Sequence, residues 1–290
     1  SLSEKYGQNN IFYLSAHKNH FNDALEDYNI KINNLRTEVS YFGFRLWHLL
    51  SSKRKLLSKN SVEKFDLIID LQSKLRNTLV LKKIPNIHFY SSTFNFKFCS
   101  THKDYISTKY DNNKILLNLE KLLNDTIVSK KYNTDLIDDK YFTEAKRLLP
   151  DSNYIGFSIT QGNAYRKKSW PIEKFLSVAK KISKQNKKPV FFIERNNFDL
   201  INKITKEIKN VLIPELESNL SGPPLVTALS KRLEKAISID NGIMHMIGLA
   251  DIPMIVLFGP TNSKKFSPKI KNINILDSKI LYNSEEISKI

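Results

Sequence analysis

Residues 236–260, AISIDNGIMHMIGLADIPMIVLFGP, decide the fold of this protein. An apolar segment at 242–250 follows the polar residues Asp240 and Asn241 and begins with Gly242. It lies between two runs of apolar and β-favouring residues, at 236–240 and 254–260. This order predicts a strand, a short helix and a second strand. Strands that alternate with helices in this way indicate a parallel sheet covered on both faces.

The rest of the second half repeats the alternation. Pro171 in a first turn, with Ser169 as its candidate cap, marks a helix start. The predicted strands are 154–160, 189–194 and 210–215, and the predicted helices are 169–185, 197–209 and 223–235. Five apolar strands with right-handed crossovers predict a doubly wound, Rossmann-like domain over residues 151–290.

The first half alternates less regularly. We predict strands at 11–15, 65–71 and 86–92, helices at 41–57, 72–82 and 112–125, and a short helical stretch at 141–149. A polar segment then ends at Pro150, where we place the domain boundary. The chain is therefore expected to be α/β, with residues 1–150 forming a second Rossmann-like domain.

The net charge of +17, from 46 basic and 29 acidic residues, is the outlier of the composition. The excess is spread over both halves and forms no basic arm, so we expect no nucleic-acid partner. A codon bias towards Lys, Asn and Ile explains most of such a charge. Attraction to an anionic membrane surface or to a phosphorylated substrate is the functional alternative.

Cysteine usage and hydropathy indicate the compartment. Cys99 is the only cysteine, which excludes a disulfide within the chain and a cysteine-based metal site. A reducing environment suits this composition. No apolar run reaches the roughly 18–20 residues that span a bilayer. We therefore expect a cytoplasmic protein with, at most, peripheral contact with the inner membrane.

Polar residues follow four of the predicted strands of the second half. Since ligands of such sheets bind beyond the carboxyl ends of the strands, these residues are the candidate site. They are Asn163, Lys167 and Lys168 after the first strand, Glu194 after the second, Asp240, Asn241, Gly242 and His245 after the fourth, and Gly259 and Thr261 after the fifth. We expect them to converge on one crevice.

The chemistry of these residues fits a nucleoside diphosphate. Free N–H groups at the helix start after Asn241 would attract phosphate, and Gly242 would allow a ligand close to the backbone. Lys167 or Lys168 would neutralise the diphosphate, and Glu194 would accept from a ribose hydroxyl. The two best-known phosphate-loop signatures, GxGxxG and GxxxxGK[ST], are absent.

Four segments, taken in order, resemble glycosyltransferase family 9, the bacterial lipopolysaccharide heptosyltransferases and their relatives. The first is FDLIIDLQ at 65–72. The other three correspond to motifs of the family: Lys168-Ser169-Trp170-Pro171 to K-x-W-P, residues 240–245 to D-[ST]-G-x-x-H, and residues 253–261 to the closing L-F-G-P-T motif. The resemblance covers most of the chain. Asn241 departs from the Ser or Thr that is usual there, although Asn can also cap a helix.

This resemblance implies two Rossmann-like domains in the GT-B arrangement. It implies an inverting, metal-independent transfer from a nucleotide-diphospho-sugar, often ADP-heptose, to a lipid-linked glycan. The second domain would hold the donor and the first the acceptor. Lys168 would contact the donor phosphates, Asp240 a sugar hydroxyl and Glu194 the ribose, while 241–245 would cradle the diphosphate. No cofactor or metal is implied, in keeping with the absence of a D-x-D motif, and we expect a monomer.

The resemblance also implies an S-x-G-D turn whose Asp is the general base for the acceptor. That turn is not found in these 290 residues. We therefore leave the catalytic residue unassigned, expect the base upstream of Ser1 in a longer natural protein, and expect little transferase activity from this chain alone.

Simpler structural roles compete for several of these residues. Asp240 could cap its helix, His245 could be packed in an apolar helix, and Glu194 could be an exposed strand end. Trp170 is more typical of packing than of base stacking. Asp70, near the end of the strand at 65–71, is a candidate for the interdomain cleft or a cap for the next helix. The aromatic stripe at 42–47, followed by basic residues, fits core packing better than membrane docking.

Three other functions stay open. The chain could bind a nucleotide sugar without transferring it, or it could be a nucleotide-sugar epimerase, whose fold is similar. The K-x-W-P and L-F-G-P-T motifs speak against an epimerase. A nucleic-acid-binding module is suggested by the net charge alone.

Overall fold

The computed structural model describes residues 2–15, 20–23, 25–35, 48, 50, 62–72, 74–101, 105–106, 113–127, 132–161 and 169–281. The chain forms two compact units. The first comprises residues 1–26 and 30–131, and the second comprises 27–29 and 132–290. The predicted boundary at Pro150 thus falls inside the second unit. The helix predicted at 141–149 belongs to that unit because it packs against the helix at 223–230.

The described strands of the first unit form two parallel pairs. Strand β1 (Phe12–Tyr13) pairs with β2 (Asn33–Asn34), and β3 (Phe65–Asp70) pairs with β4 (Asn86–Ser91). The helices are α1 (Leu2–Tyr6), α2 (Leu75–Leu81) and α3 (Asn113–Leu123), with 3-10 turns at Gln8–Asn10, His20–Asn22 and Glu26–Tyr28. The helix and aromatic stripe predicted within 41–57 lie outside the described residues, apart from His48 and Leu50.

The β3–β4 pair is covered on both faces. Successive side chains of a strand point to opposite faces. Phe89 of β4 accordingly packs with Val80 and Ile84, at and just after α2, whereas Tyr90 packs with Leu119 of α3. Burial on both faces explains the apolar runs at 67–69 in β3 and 89–90 in β4, from which these strands could be predicted.

The second unit contains a five-stranded parallel sheet. Its strands are β5 (Tyr154–Ser158), β6 (Lys188–Phe191), β7 (Leu233–Ile239), β8 (Met254–Phe258) and β9 (Ile273–Asp277). Its helices are α4 (Asp139–Leu148), α5 (Ile172–Ser183), α6 (Phe198–Glu207), α7 (Pro214–Glu217), α8 (Pro223–Ser230), α9 (Gly242–Leu249), α10 (Ser263–Phe266) and α11 (Ser278–Leu281).

The strand order of this sheet is β6-β5-β7-β8-β9. Numbered within the unit, this is the doubly wound order 2-1-3-4-5, in which the winding reverses between the first and third strands. The reversal point here lies between β5 and β7, which are hydrogen-bonded neighbours from Tyr154 to Ser158. A crevice for a ligand is expected beyond the carboxyl ends of these two strands.

Two helices cover one part of this sheet. Residues of α5, α6, β5 and β6 form a single buried cluster, in which Phe157 and Phe191 stack at 4.7 Å between ring centroids. Trp170 packs against the cluster, with its ring 4.9 Å from that of Phe175. The packing role predicted for Trp170 is therefore confirmed.

Three local predictions in the second unit are wrong. Residues 210–215 form no strand of the sheet. They make one bridge, between Leu212 and Val190, before Pro214 begins α7. The fifth strand is instead β9, an edge strand that we did not predict, in which Asn274 and Asp277 interrupt the apolar residues. Ser169 does not cap α5, since Pro171 occupies the N-cap position and makes no side-chain cap bond.

A three-residue segment from the N-terminal part of the chain is built into the second unit. Tyr28 is 3% exposed and shares a 2.7 Å hydrogen bond with the Thr227 hydroxyl of α8. Tyr132 donates to the Tyr28 carbonyl at 2.6 Å, and Asp27 accepts from Tyr141 of α4 at 2.5 Å. The fold of the second unit thus depends on contacts between residues that lie 104 to 199 positions apart in sequence.

Candidate functional site

The side chain of Asn241 spans the point where the winding of the second sheet reverses. Its Nδ2 donates to Ser158 Oγ at 2.7 Å and to the Thr160 carbonyl at 2.8 Å. Ser158 ends β5, and Asn241 follows β7 by two residues. One amide therefore holds together the two loops that border the expected crevice.

The same side chain caps α9. Its Oδ1 accepts from the backbone N–H of Met244 at 2.9 Å, which satisfies one of the free donors of the first turn. The interpretation of Asp240 as the helix cap is therefore wrong, because the cap lies one residue later. Ser or Thr, which the resemblance leads one to expect at 241, could provide the cap through a hydroxyl but is too short to provide the second set of bonds.

Gly242, the first residue of α9, is exposed, and no described residue requires a glycine there. A Cβ added there would meet no atom of the described residues within 4 Å, and its φ lies outside the left-handed region. A Cβ at Gly156, by contrast, would lie 2.5 Å from Leu233 Cδ1. No described residue therefore fills the space next to the first turn of α9, at a place where helix N–H groups attract anions.

Asp240 joins the loop after β7 to the loop after β8. Its carboxylate is 6% exposed, and its Oδ2 accepts from the Thr261 hydroxyl at 2.6 Å. Pro260, between the half-buried Gly259 and Thr261, accepts from Lys279 Nζ at 2.7 Å through its carbonyl. The loops that follow β5, β7 and β8 are therefore connected by side-chain hydrogen bonds, as the predicted convergence requires.

His245 is exposed, so the prediction that it is packed inside an apolar helix is wrong. It lies three residues after Gly242 in α9, which places the two on one face of the helix. Side chains on a helix tilt towards its N-terminus. His245 is therefore positioned beside the first turn, next to the open space at Gly242.

Glu194 lies beyond the end of β6 and is exposed, after the buried Phe192 and Ile193. It stands close to a second carboxylate that sequence reasoning missed. Burial raises the pKa of Glu215, and the charge of Glu194 raises it further. Arg195 fixes the intervening loop by donating to the carbonyls of Ser218, Glu215 and Leu220. We did not predict Glu215 as a site residue, because we assigned 210–215 to a strand.

Three candidate residues cannot be placed. Asn163, Lys167 and Lys168 lie outside the described residues. Among those that are described, no three His, Cys, Asp or Glu side chains are grouped so as to hold a metal ion. A search of the same residues for a helix of sufficient length and apolar character to cross a bilayer found none.

Asp70 in the first unit is buried and accepts several hydrogen bonds. Its carboxylate is 3% exposed and accepts from the hydroxyls of Thr78 at 2.5 Å and Ser91 at 2.9 Å, and from the Gln72 N–H at 3.0 Å. It does not cap α2, whose N-cap residue is Lys74. Asp70 therefore ties the carboxyl ends of β3 and β4 to α2.

Comparison with known proteins relates this geometry to one family. Residues 53–289 match the model of glycosyltransferase family 9 (heptosyltransferase). No curated protein matches the sequence at a significant level.

Solved structures share the fold at low sequence identity. A glycosyl transferase family 9 protein from Veillonella parvula superposes with a TM-score of 0.68 at 21% identity, over 96% of this chain and 81% of that one. The E. coli heptosyltransferase WaaC with ADP gives 0.54 at 14%, over 74% and 67%. A UDP-GlcNAc 2-epimerase from Methanocaldococcus jannaschii gives 0.52 at 16%, over 96% and 82%. The predicted α/β fold class, of GT-B type with parallel sheets flanked by helices, is confirmed.

Proposed function

Since the chain belongs to glycosyltransferase family 9, we propose that it transfers a sugar from a nucleotide-diphospho-sugar to a glycan of the cell envelope. The donor binds to the second unit, at the loops that follow β5, β7 and β8. The observation that carries this proposal is the first turn of α9. Asn241 holds that turn against the end of β5, and Gly242 leaves the space beside it open.

The diphosphate of the donor is assigned to this turn. The N–H groups of Gly242 and Ile243 and the positive end of the α9 dipole would face its oxygens, with His245 beside them. By analogy with the K-x-W-P motif, Lys168 supplies a further phosphate contact, and Lys167 and Asn163 are proposed to supply others. Gly259 and Thr261 border the same space, and Asp240 holds a hydroxyl of the transferred sugar.

The nucleoside is assigned to the end of β6, where Glu194 accepts from the ribose hydroxyls. An adenine nucleotide is the first choice, because one fold neighbour, the E. coli heptosyltransferase, was solved with ADP. The transferred sugar would then be heptose-like. Carboxylates at both Glu194 and Glu215 disfavour an additional phosphate on the ribose by charge repulsion.

The proposed reaction is an inverting displacement without a metal or cofactor. An acceptor hydroxyl oxygen forms a bond to the anomeric carbon while the bond from that carbon to the diphosphate oxygen breaks. The bonding electron pair leaves with the nucleoside diphosphate, and the acceptor proton passes to a base that is not assigned in this sequence. Helix N–H groups and cations around the diphosphate lower the barrier by stabilising the charge that develops on the leaving group.

The acceptor is proposed to be a lipid-linked glycan, such as the core of lipopolysaccharide, held by the first unit. The protein would act as a monomer in the cytoplasm. The net charge of +17 would favour peripheral contact with an anionic inner membrane. No nucleic-acid partner is proposed.

A nucleotide panel tests the donor assignment directly. Thermal unfolding with ADP, AMP, UDP and GDP should show the largest stabilisation with ADP and much less with AMP, because the assigned turn binds the diphosphate. Gly242→Ala should abolish the ADP effect. Equal stabilisation by ADP and AMP would contradict the diphosphate assignment.

Product analysis separates transfer from the alternatives. A transferase releases ADP from ADP-heptose only when an acceptor glycan is present, whereas a protein that binds the donor without reaction releases none. An epimerase, whose fold one neighbour shares, converts the sugar without separating it from the nucleotide. Mass spectrometry of the nucleotide and sugar products distinguishes the three outcomes.

A further inference from the structure

Three consecutive residues after β4 adopt left-handed backbone conformations. Phe94, Asn95 and Phe96 have φ angles of 47°, 53° and 66°. Asn tolerates this region, but a positive φ is an outlier for a residue as bulky as Phe and costs free energy. Backbone strain of this kind concentrates at ligand-binding positions, where the surrounding structure maintains it.

The left-handed turn, residues 94–96, is held from both sides. Phe96 is 4% exposed, and its ring packs 4.9 Å from that of Tyr105 and 5.8 Å from that of Tyr90. On the other side, Thr93 shares a 2.7 Å hydrogen bond with Thr78, whose hydroxyl also donates to Asp70. The buried Asp70 cluster and the aromatic core together maintain the strained backbone.

The held turn leaves the ring of Phe94 at the surface. Phe94 is 64% exposed. Its only described ring neighbour among the aromatic contacts is Phe98, at 6.1 Å between centroids, and Phe98 packs against the core beside Val80. Burial therefore does not explain why a strained position carries an aromatic side chain. A ring supported on one side and open on the other is suited to stacking against a ligand.

The surroundings of Phe94 combine apolar and polar groups. The turn lies just beyond the paired carboxyl ends of β3 and β4, Asp70 and Ser91. Leu71 at the same edge is 73% exposed, and Gln72 beside it is exposed as well. A ligand with an apolar face and a polar edge would match this arrangement.

We propose that Phe94 stacks against the apolar C–H face of a sugar ring in the acceptor glycan. The inference rests on the proposed function, which requires a glycan acceptor. A pyranose ring has C–H faces that pack on aromatic rings and hydroxyl edges that bond to amides such as those of Gln72 and Asn95. Phe94 is thus a specificity-determining residue for the acceptor and has no role in donor binding.

Saturation-transfer NMR with the core oligosaccharide released from lipopolysaccharide by mild acid tests this inference. The unsubstituted protein should transfer saturation to sugar ring protons. Phe94→Asn, which retains a residue that tolerates the left-handed backbone, should lower that signal at least fivefold, and Phe94→Trp should restore it. Ile87→Ala is the matched control, because Ile87 is 50% exposed near the opposite end of β4.

Two results would overturn the role of Phe94: equal saturation transfer in the Phe94→Asn variant, or no transfer with the unsubstituted protein. Thermal stabilisation by ADP reports the donor proposal separately, and Phe94→Asn should leave it unchanged. If ADP stabilises the protein but the oligosaccharide does not bind, the Phe94 inference fails while the donor assignment stands. If ADP does not stabilise the protein, the donor assignment fails, and the saturation-transfer signal still tests whether Phe94 binds the sugar.

Discussion

The side-chain amide of Asn241 lies 2.7 Å from Ser158 Oγ, and this hydrogen bond closes the gap between the ends of two neighbouring strands. Through its other bonds the same residue caps α9 and holds the Thr160 carbonyl. The cap of α9 and the bridge to the end of β5, formed by the bonds to Ser158 and Thr160, therefore depend on one side chain. Substitutions can separate these contributions.

Asn241→Ser should keep the cap and lose the bridge, whereas Asn241→Ala should lose both. We expect the cap alone to account for ~1 kcal/mol of stability, seen as the difference between the two variants. Both should weaken ADP binding at least fivefold, because the loop after β5 is released. Denaturant unfolding and calorimetric titration measure the two quantities. Full ADP affinity in Asn241→Ser would show that the bridge is not needed for binding.

Gly242→Ala should leave the stability unchanged but weaken ADP binding at least tenfold. The added methyl group meets no atom of the described residues within 4 Å, but it would enter the space assigned to the diphosphate. Gly156→Ala is the opposite control. Its methyl group would lie 2.5 Å from Leu233 Cδ1, so the variant should lower the unfolding temperature. Undiminished ADP affinity in Gly242→Ala would remove the main support for the donor site.

Tyr28→Phe should destabilise the protein by about 1 kcal/mol, because it removes the buried hydrogen bond to Thr227 without creating a cavity. Tyr28→Ala should cost several times more, since it also removes a ring that is 3% exposed. Chemical denaturation measures both. Tyr6→Phe, at a tyrosine that is 40% exposed, should change the stability little. An equally small effect at Tyr28 would mean that residues 27–29 are not a structural part of the second unit.

Glu144 should make the stability depend on acid pH. Hydrogen bonds from Arg147 and then Ser218 lower its pKa from 4.5 to about 2. Because the folded pKa lies below the unfolded one, the stabilisation is complete above about 4.5 and is lost as the pH falls towards 2. Glu144→Gln should therefore be less stable than the unsubstituted protein at pH 6, and the difference should shrink between pH 4.5 and 2.

The control for Glu144 is Glu173→Gln, which removes an exposed carboxylate paired with Lys203. Surface pairs of this kind contribute little, so its unfolding curve should follow that of the unsubstituted protein at each pH. A Glu144→Gln deficit that stays constant from pH 6 to pH 2 would contradict the assignment to carboxylate ionisation.

Most strands and helices of the second unit could be predicted from the local sequence. The run at 154–158 is buried on both sides of a parallel sheet, and that burial shows in its apolar composition. The edge strand β9 was not predicted, because a strand at the edge of a sheet is less buried than a central one. Asn274 and Asp277 are polar, so this strand lacks the continuous apolar run of a central strand.

The candidate site was predicted in part. The turn at Asp240, Asn241 and Gly242 could be found because a strand that ends in polar residues before an apolar helix is a local pattern. The hydrogen-bond partners of the turn could not be predicted, because they are distant in sequence. Ser158 lies 83 residues from Asn241, and Thr261 lies 21 residues from Asp240. The exposure of His245 was also missed, because its apolar helix alone does not reveal which face meets the sheet.

By itself the sequence determined the α/β class and the alternation of strands and helices, since propensity and periodicity act over a few neighbouring residues. Only the tertiary structure decided the strand order, the bridge from Asn241 to β5, the insertion of Tyr28 beside Thr227 and the strained turn that exposes Phe94. Each of these depends on contacts between distant segments, whose free energy is gained only when the chain has folded around them.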